Sequence, residues 1–237
     1  MGLVRMLAGD RPRTSEQGRE TWHSFSFGAH YDPANIAYAG LMAHHDDHLE
    51  PGAGYPDHPH AGVEIVTWVL DGVLVHRDSD GGAADLGAGS LQVQSAGSGI
   101  RHSEVADAAS GPTRFVQAWV RPDEDDGAPA REVVDPGPVL DGGGLVPLAS
   151  GAGTGSAGLV GLGAAGATLW VARLVPGRTI TLPERRHQHL FVSRGSVSVA
   201  GQTLAEGDAL RATDEPGHRA TLPEHVAGAE LMVWTFG

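Results

Sequence analysis

Two short pairs of residues hold most of the chemistry legible in this chain. The first is His58-Pro59-His60, in the run DHPHAGVEIVTWVLDG, and the second is His102-Ser103-Glu104, in SAGSGIRHSE. Side chains at i and i+2 of an extended chain point to the same face. His58 and His60 are therefore predicted to aim at one point, and so are His102 and Glu104. If the two segments lie on neighbouring strands, three imidazoles and one carboxylate converge. Such a set suits a divalent transition metal such as Fe, Mn, Ni, Cu or Zn, with positions left for water or a ligand. Chance pairing is the bland alternative, and surface histidines rarely come as two such pairs inside strand-like sequence.

The elements that must position these residues read as strands. Val63 to Leu70 and Val73 to Arg77 flank Asp71-Gly72, which predicts a hairpin, because a type I′ turn needs positive φ at both central residues. A turn-rich stretch, Asp78 to Gly89, follows. Leu91-Gln92-Val93-Gln94 alternates as a half-buried strand does, and Phe115 to Val120 is another strand. Short helices are expected at most near the N-terminus and over Glu124 to Glu132. The second half repeats the scheme around Pro176-Gly177 and Arg194-Gly195. VLDGVLV matches VSRGSVS, LGAGSLQV matches LAEGDALR, and QAWV matches MVWT. This repeat predicts two similar β-barrels or sandwiches, split near residues 135–145. Between them, Asp141 to Gly166 holds ten glycines in twenty-six residues. Strands are expected at either end of that stretch, with a loose tip near Gly151 to Gly158.

Composition narrows the chemistry. The chain has 237 residues, 41% of them hydrophobic, and no run near the ~18 apolar residues of a membrane span. It contains no cysteine, which excludes disulfides, thiolate catalysis and iron–sulfur clusters. It contains no lysine, which excludes Schiff-base and P-loop lysine chemistry. The formal net charge of −13 with no basic stripe argues against direct nucleic-acid binding. The first twenty residues lack an apolar core and a small-residue cleavage site, so no signal peptide is expected. A cytoplasmic monomer fits these features, since two barrels can bury each other's apolar faces.

The motifs also carry a resemblance. GxxxxxHxHxxxE, read from Gly52 through His58, His60 and Glu64, resembles the first motif of the cupin superfamily. The pattern HPHxGxExxTxVLxGxxxHxDSxG, followed by SAGSGIxHSE, resembles the pirin family and runs unbroken from His58 to Glu104. Upstream, TWHSFSFGAHYDP (Thr21 to Pro33) is similar to the N-terminal signature of bacterial pirin-like proteins. The second half is similar to the shorter, divergent C-terminal cupin of the bacterial members. The resemblance implies an all-β bicupin: two tandem cupin β-barrels of the double-stranded β-helix, or jelly-roll, type. It places a metal-binding domain at residues 1–138 and a degenerate one at 139–237. It implies one metal per chain, most often iron, held by His58, His60, His102 and Glu104. Two activities come with it. Some members resemble quercetinases, which insert O2 into a flavonol, open its central ring and release carbon monoxide. Others act as redox-sensitive regulators that dock a protein partner.

In the enzyme reading Glu104 stays bound, or swings off the metal and takes a proton from a small aromatic substrate. Ligand imidazoles need outer acceptors for their free N–H, and Glu64, Gln92, Gln94 and Gln117 are candidates. Phe115 and Trp119 either line an aromatic pocket or belong to the core. Other features point to structure. His44-His45-Asp46-Asp47-His48 is expected to be a solvated surface, His76 a structural residue, and Gly97-Ser98-Gly99 a tight turn that positions His102. His187-Gln188-His189 is not expected to bind a second metal. Counted from the glycines, the positions matching His58 and His60 are Thr181 and Pro183, and those matching His102 and Glu104 are Ala220 and Leu222.

Overall fold

The computed structural model describes residues 2–237. The chain forms β1 (Gly2–Met6), β2 (Arg13–Glu16), β3 (Arg19–His23), β4 (Leu41–Leu49), β5 (Gly54–His60), β6 (Glu64–Asp71), β7 (Val73–Asp78), β8 (Ala83–Gly87), β9 (Leu91–Ser95), β10 (Ile100–Ala106), β11 (Thr113–Val120) and β12 (Ala130–Val134). After a single helical turn, α1 (Gly137–Leu140), come β13 (Val146–Ser150), β14 (Val160–Gly161), β15 (Ala167–Leu174), β16 (Thr179–Thr181), β17 (His187–Val199), β18 (Gln202–Ala205), β19 (Ala209–Thr213), β20 (Arg219–Thr221) and β21 (Ala229–Phe236). Among the described residues no helix is long and apolar enough to cross a membrane. The stretch Glu124 to Glu132 forms no helix; its end is β12.

Two compact units emerge. One comprises Pro12–Asp135 with Leu162–Ala164; the other takes the residues up to Arg11, Pro136–Gly161 and Ala165–Gly237. The first unit is a jelly roll of two sheets, ordered β12-β9-β6-β11-β4-β3-β2 and β5-β10-β7-β8. The second has the same plan. Its large sheet runs β1-β19-β17-β21-β15-β13-β14, and β16, β20 and β18 pair around the far half of β17.

The Asp71-Gly72 hairpin is not formed. β6 pairs with β9 and β11, whereas β7 pairs with β8 and β10 in the other sheet. Gly72 is a corner, at φ +73°, where the chain leaves one sheet and enters the next. A Cβ there would lie 2.6 Å from Thr113 Oγ1 and 2.9 Å from Thr113 Cα, so glycine serves both the backbone angle and the close approach. Gly195 does the same at φ +72° inside β17, whose two halves pair in different sheets. Pro176-Gly177 likewise separates strands of different sheets, β15 and β16. Turn chemistry marked the right residues, but a positive-φ corner and a hairpin share one local signature. The tip near Gly151 to Gly158 is held by hydrogen bonds: Thr154 Oγ1 to Ser156 O at 2.9 Å, Gly158 N to Ser150 Oγ at 2.8 Å, and an Arg185 contact to Thr154 O at 2.5 Å.

Strand pairing aligns the halves more securely than sequence does. Thr67 pairs with Gln92 and Gln117, and Leu190 pairs with Leu210 and Val233. Gln117 therefore corresponds to Val233. The QAWV–MVWT match sets it against Met232, a one-residue slip that would put it on the wrong face.

Candidate metal centre

The centre lies inside the first unit, which holds two separate apolar clusters. Leu49, Val69, Leu74, Leu86, Ala106 and Phe115 pack one, which assigns Phe115 to the core. Val63, Ile65, Ala96 and Ile100, with Trp119 against them, form the other. Neighbouring strands bring the two sequence pairs together: β5 and β10 are antiparallel, with His102 opposite His58 and Glu104 opposite Tyr55. A turn closed by Gly99 N to Ala96 O at 3.0 Å launches β10, as the Gly-Ser-Gly signature suggests.

His58, His60 and His102 present nitrogens that all lie within 4.8 Å of one another. Their outer hydrogen bonds fix which nitrogens carry protons. A carbonyl oxygen only accepts, so His58 Nδ1–H donates to Pro56 O at 2.8 Å, and His102 Nδ1–H donates to Gln94 Oε1 at 2.6 Å. In the neutral rings both Nε2 atoms then carry lone pairs, yet they face each other at 3.1 Å. His60 Nε2 is buried and has no hydrogen-bond partner. Two facing imidazole lone pairs with no proton between them, beside a buried imidazole nitrogen that has no partner, are what a cation satisfies. Burial, together with the neighbouring His102 and His58, lowers the His60 pKa to about 4. Burial is also the largest influence on His102, held down at about 4 although Glu104 and Asp78 pull the other way. Both rings are therefore unprotonated at neutral pH.

Glu104 stands beside this cluster, with Oε2 4.0 Å from His102 Nε2 and Oε1 3.6 Å from His76 Nδ1. Burial raises its pKa, but the His76 hydrogen bond, the charges of His102 and His76, and the Gln117 amide outweigh burial and hold it at about 2. Gln117 Nε2 donates to Glu104 Oε2 at 2.8 Å. The indole of Trp119 is donor-only, and by giving its N–H to Gln117 Oε1 at 3.1 Å it fixes that orientation. Trp119 also lies edge-on to His60, ring centroids 5.0 Å apart. Beside the centre an open pocket of about 490 Å³ is lined by Pro59, His60, Ala61, Ser79, Gly99, Ile100 and Arg101.

The outer residues divide as follows. Gln94 serves His102, Gln117 serves Glu104, and Gln92 Nε2 reaches His76 Nδ1 at 3.1 Å. Glu64 serves none of them; it accepts from Ser95 Oγ at 2.9 Å and is structural. His76 and Asp78 are the residues that sequence reasoning undervalued. With His102 they form a second close group, in which His76 Nε2 lies 2.8 Å from Asp78 Oδ1. The signal was present, since His76-Arg77-Asp78 is a third i,i+2 pair on a strand.

The expected solvated surface at His44–His48 is overturned. It forms most of β4, and His44, His45, Asp46 and Asp47 are buried. Asp46 accepts two hydrogen bonds from Arg114, at 3.0 and 2.9 Å. Asp47 Oδ1 accepts from Thr21 Oγ1 and from Tyr55 Oη, each at 2.6 Å. Burial, reinforced by the charges of Asp46 and Glu104, pushes the Asp47 pKa up to about 7 against those hydrogen bonds. A polar composition was legible there, but partners distant in sequence satisfy it. In the second unit His189 is buried on β17, and the pairing that matches Glu104 with Ala220 makes His218, not Ala220, the sequence counterpart of His102. Ala220 belongs to an apolar cluster with Leu182, Val199 and Leu210.

Relatives and solved structures agree with this architecture. A sequence model described as Pirin matches residues 7–120, and one described as a quercetinase C-terminal cupin domain matches residues 164–231. A Mycobacterium tuberculosis protein provisionally named quercetin 2,3-dioxygenase is 42% identical over 228 residues, covering 96% of this chain and 92% of its own. An Escherichia coli protein named quercetin 2,3-dioxygenase is 38% identical over 125 residues, covering 53% of this chain and 54% of its own. The crystal structure of the E. coli bacterial pirin YhhW in complex with nickel(II) superposes with a TM-score of 0.86 at 26% identity, over 99% of both chains. With its two cupin domains and this breadth of similarity, the chain belongs to the pirin family.

Proposed function

We propose that this protein is a metal-dependent dioxygenase of the quercetinase type, in which His58, His60, His102 and Glu104 hold one divalent metal. The observation that carries the reading is the convergence of the His58 and His102 lone pairs at 3.1 Å, with both outer N–H groups already committed. Iron is the first candidate. Nickel is supported by the YhhW complex, and Mn, Cu and Zn suit the same donors. When bound, such a metal supplies Lewis acidity and, if redox-active, electron exchange between an enolate and O2.

The chain's own groups account for the rest. The pocket edged by His60, Pro59 and Ile100 offers apolar walls of a size that fits a flavonol-like small aromatic. Glu104 is ionised at neutral pH and can take the proton of a substrate hydroxyl, so the substrate reacts as its electron-rich anion. Gln117 holds that carboxylate in place before and after the transfer. The names of the relatives support a flavonol as substrate.

The test is direct. Protein loaded with Fe, Mn, Ni or Cu is mixed with quercetin in air, and flavonol absorbance and headspace carbon monoxide are followed. Loss of flavonol with carbon monoxide release is expected. Turnover no faster than with free metal rejects the dioxygenase and moves the reading to an iron-dependent redox-sensing regulator that docks a protein partner. Glu104→Gln resolves the base. Reloaded with metal, it should fall by ~10²-fold or more if Glu104 moves the proton, and stay near wild type if Glu104 is a ligand only.

A further inference from the structure

The ligand set is tied together from behind by a carboxylate that is not itself part of it. Asp78, at the end of β7, has a side chain only 3% exposed. Its Oδ1 accepts from Gln94 Nε2 at 2.5 Å and from His76 Nε2 at 2.8 Å. Its Oδ2 pairs with Arg131 Nε of β12 at 3.0 Å. Gln94 turns its other end, Oε1, to His102, and His76 turns its other nitrogen toward Glu104. One carboxylate thus reaches both halves of the HSE pair through two different side chains.

An ionised carboxylate has no proton to give, so whatever faces it must donate. Gln94 must point its NH2 at Asp78, which leaves its carbonyl oxygen for His102. His102 must then carry its proton on Nδ1 and keep the Nε2 lone pair for the centre. On the other side, His76 must place a proton on Nε2, and its Nδ1 then accepts from Gln92 Nε2 at 3.1 Å. We infer that Asp78 is the positioning residue of the metal centre, selecting the His102 tautomer through Gln94 and fixing the His76 ring that packs beside Glu104. Arg131 holds Asp78 in turn, so β12 belongs to the working site although it contributes no ligand.

This inference rests on the metal reading and is independent of the substrate. Metal-free wild type, Asp78→Leu, Asp78→Asn, Gln94→Leu and the Asp78→Leu/Gln94→Leu double variant are titrated with Co(II). Affinity is read by chelator competition and geometry by the Co(II) visible spectrum. Leucine removes every acceptor, so Asp78→Leu should bind Co(II) about 10- to 100-fold more weakly, with a shifted spectrum. Asn keeps one acceptor oxygen and should fall between Asp78→Leu and wild type. The double variant should be little worse than the poorer single one, because both act on His102 through one chain of bonds. Asp208→Asn breaks a buried carboxylate's contacts in the other unit and should change unfolding alone. A cavity of about 170 Å³ borders Asp78 and leaves room for the substituted side chain to settle.

Should Asp78→Leu not fold, nitrogen NMR of metal-free wild type decides, with His102 expected to be protonated on Nδ1. Protonation on Nε2 overturns the inference. So does Asp78→Leu affinity within about twofold of wild type, with an unchanged spectrum. Failure of wild type itself to bind Co(II) overturns the metal reading and this inference together, and is told apart by that control.

Discussion

The two units share one strand plan and differ in what it encloses. Facing inward from β6, β7, β9, β10 and β11 of the first unit are Thr67, His76, Gln92, Glu104 and Gln117. At the paired-equivalent positions the second unit has Leu190, Val199, Leu210, Ala220 and Val233. Each exchange swaps a hydrogen-bonding group for an apolar one. A buried polar group is tolerated when its donors and acceptors are matched, so a site cannot be made by planting ligands alone. The first unit surrounds its candidate ligands with Gln92, Gln94, Gln117 and Asp78. The second dispenses with the whole set at once.

Removing ligands should give the largest effect. His102→Ala and His58→Ala are each expected to leave the purified protein nearly metal-free by elemental analysis, while strand content by circular dichroism stays. His218→Ala, altering the matching position of the apolar unit, should leave metal content at the wild-type level. Full metal in both His58→Ala and His102→Ala breaks the assignment of the centre to the first unit.

Exchanging interiors comes next. Leu210→Gln puts an amide among Leu190, Val192 and Val233 with nothing to pair with, and should destabilise the protein by about 2–4 kcal/mol in urea unfolding. The mirror change, Gln92→Leu, removes an amide whose Oε1 lacks a partner but whose Nε2 meets His76 Nδ1, and should cost less, about 1–2 kcal/mol. Equal costs would show that the difference between the interiors has no energetic meaning.

Acid provides a third test. In the folded metal-free chain His60 and His102 hold pKa values of about 4 against 6.5 for a free histidine, so between those pH values only the unfolded chain takes up these protons. These two histidines should therefore lower the stability of the metal-free protein as pH drops from about 6.5 to about 4, while Asp47, which the folded chain protonates near pH 7 and the unfolded chain only near 3.8, opposes that loss. Glu104 adds a further loss below 4.5, its ordinary value, toward about 2. Bound metal should shift the onset of this loss to lower pH. Imidazole NMR of the metal-free protein that finds His60 and His102 protonated at pH 6 would contradict the neutral, buried imidazoles. The smallest effect is expected at Arg5, whose partly exposed ion pair with Asp208 measures 2.9 Å. Arg5→Ala should change stability by about 1 kcal/mol or less.

Much of the candidate centre was legible because its residues obey a local rule. The i,i+2 spacing of His58/His60 and His102/Glu104 needs only an extended backbone, and β5 and β10 supply it. What was not legible depended on pairing across distance. Asp46 and Asp47 look like surface residues until Arg114, Thr21 and Tyr55 arrive from other strands. Asp71-Gly72 reads as a hairpin until the partners of β6 and β7 are known. The repeat was visible, yet its last segment slipped by one residue because QAWV and MVWT share a tryptophan that sits in different registers.

The pairing of β1 with β19 has a consequence for how the molecule is made. Arg5 meets Asp208 across 203 positions of sequence. At ribosomal speeds of about 5–20 residues/s, β1 emerges roughly 10–40 s before its neighbour exists. Residues 12–135 can condense during that wait, while GLVRM remains an unpaired strand edge, open to association with other chains. The second unit therefore finishes folding only when both β1 and β19 are present. Changes at the N-terminal strand should be felt first in the yield of folded protein and in the apolar unit, far along the chain from where they were made.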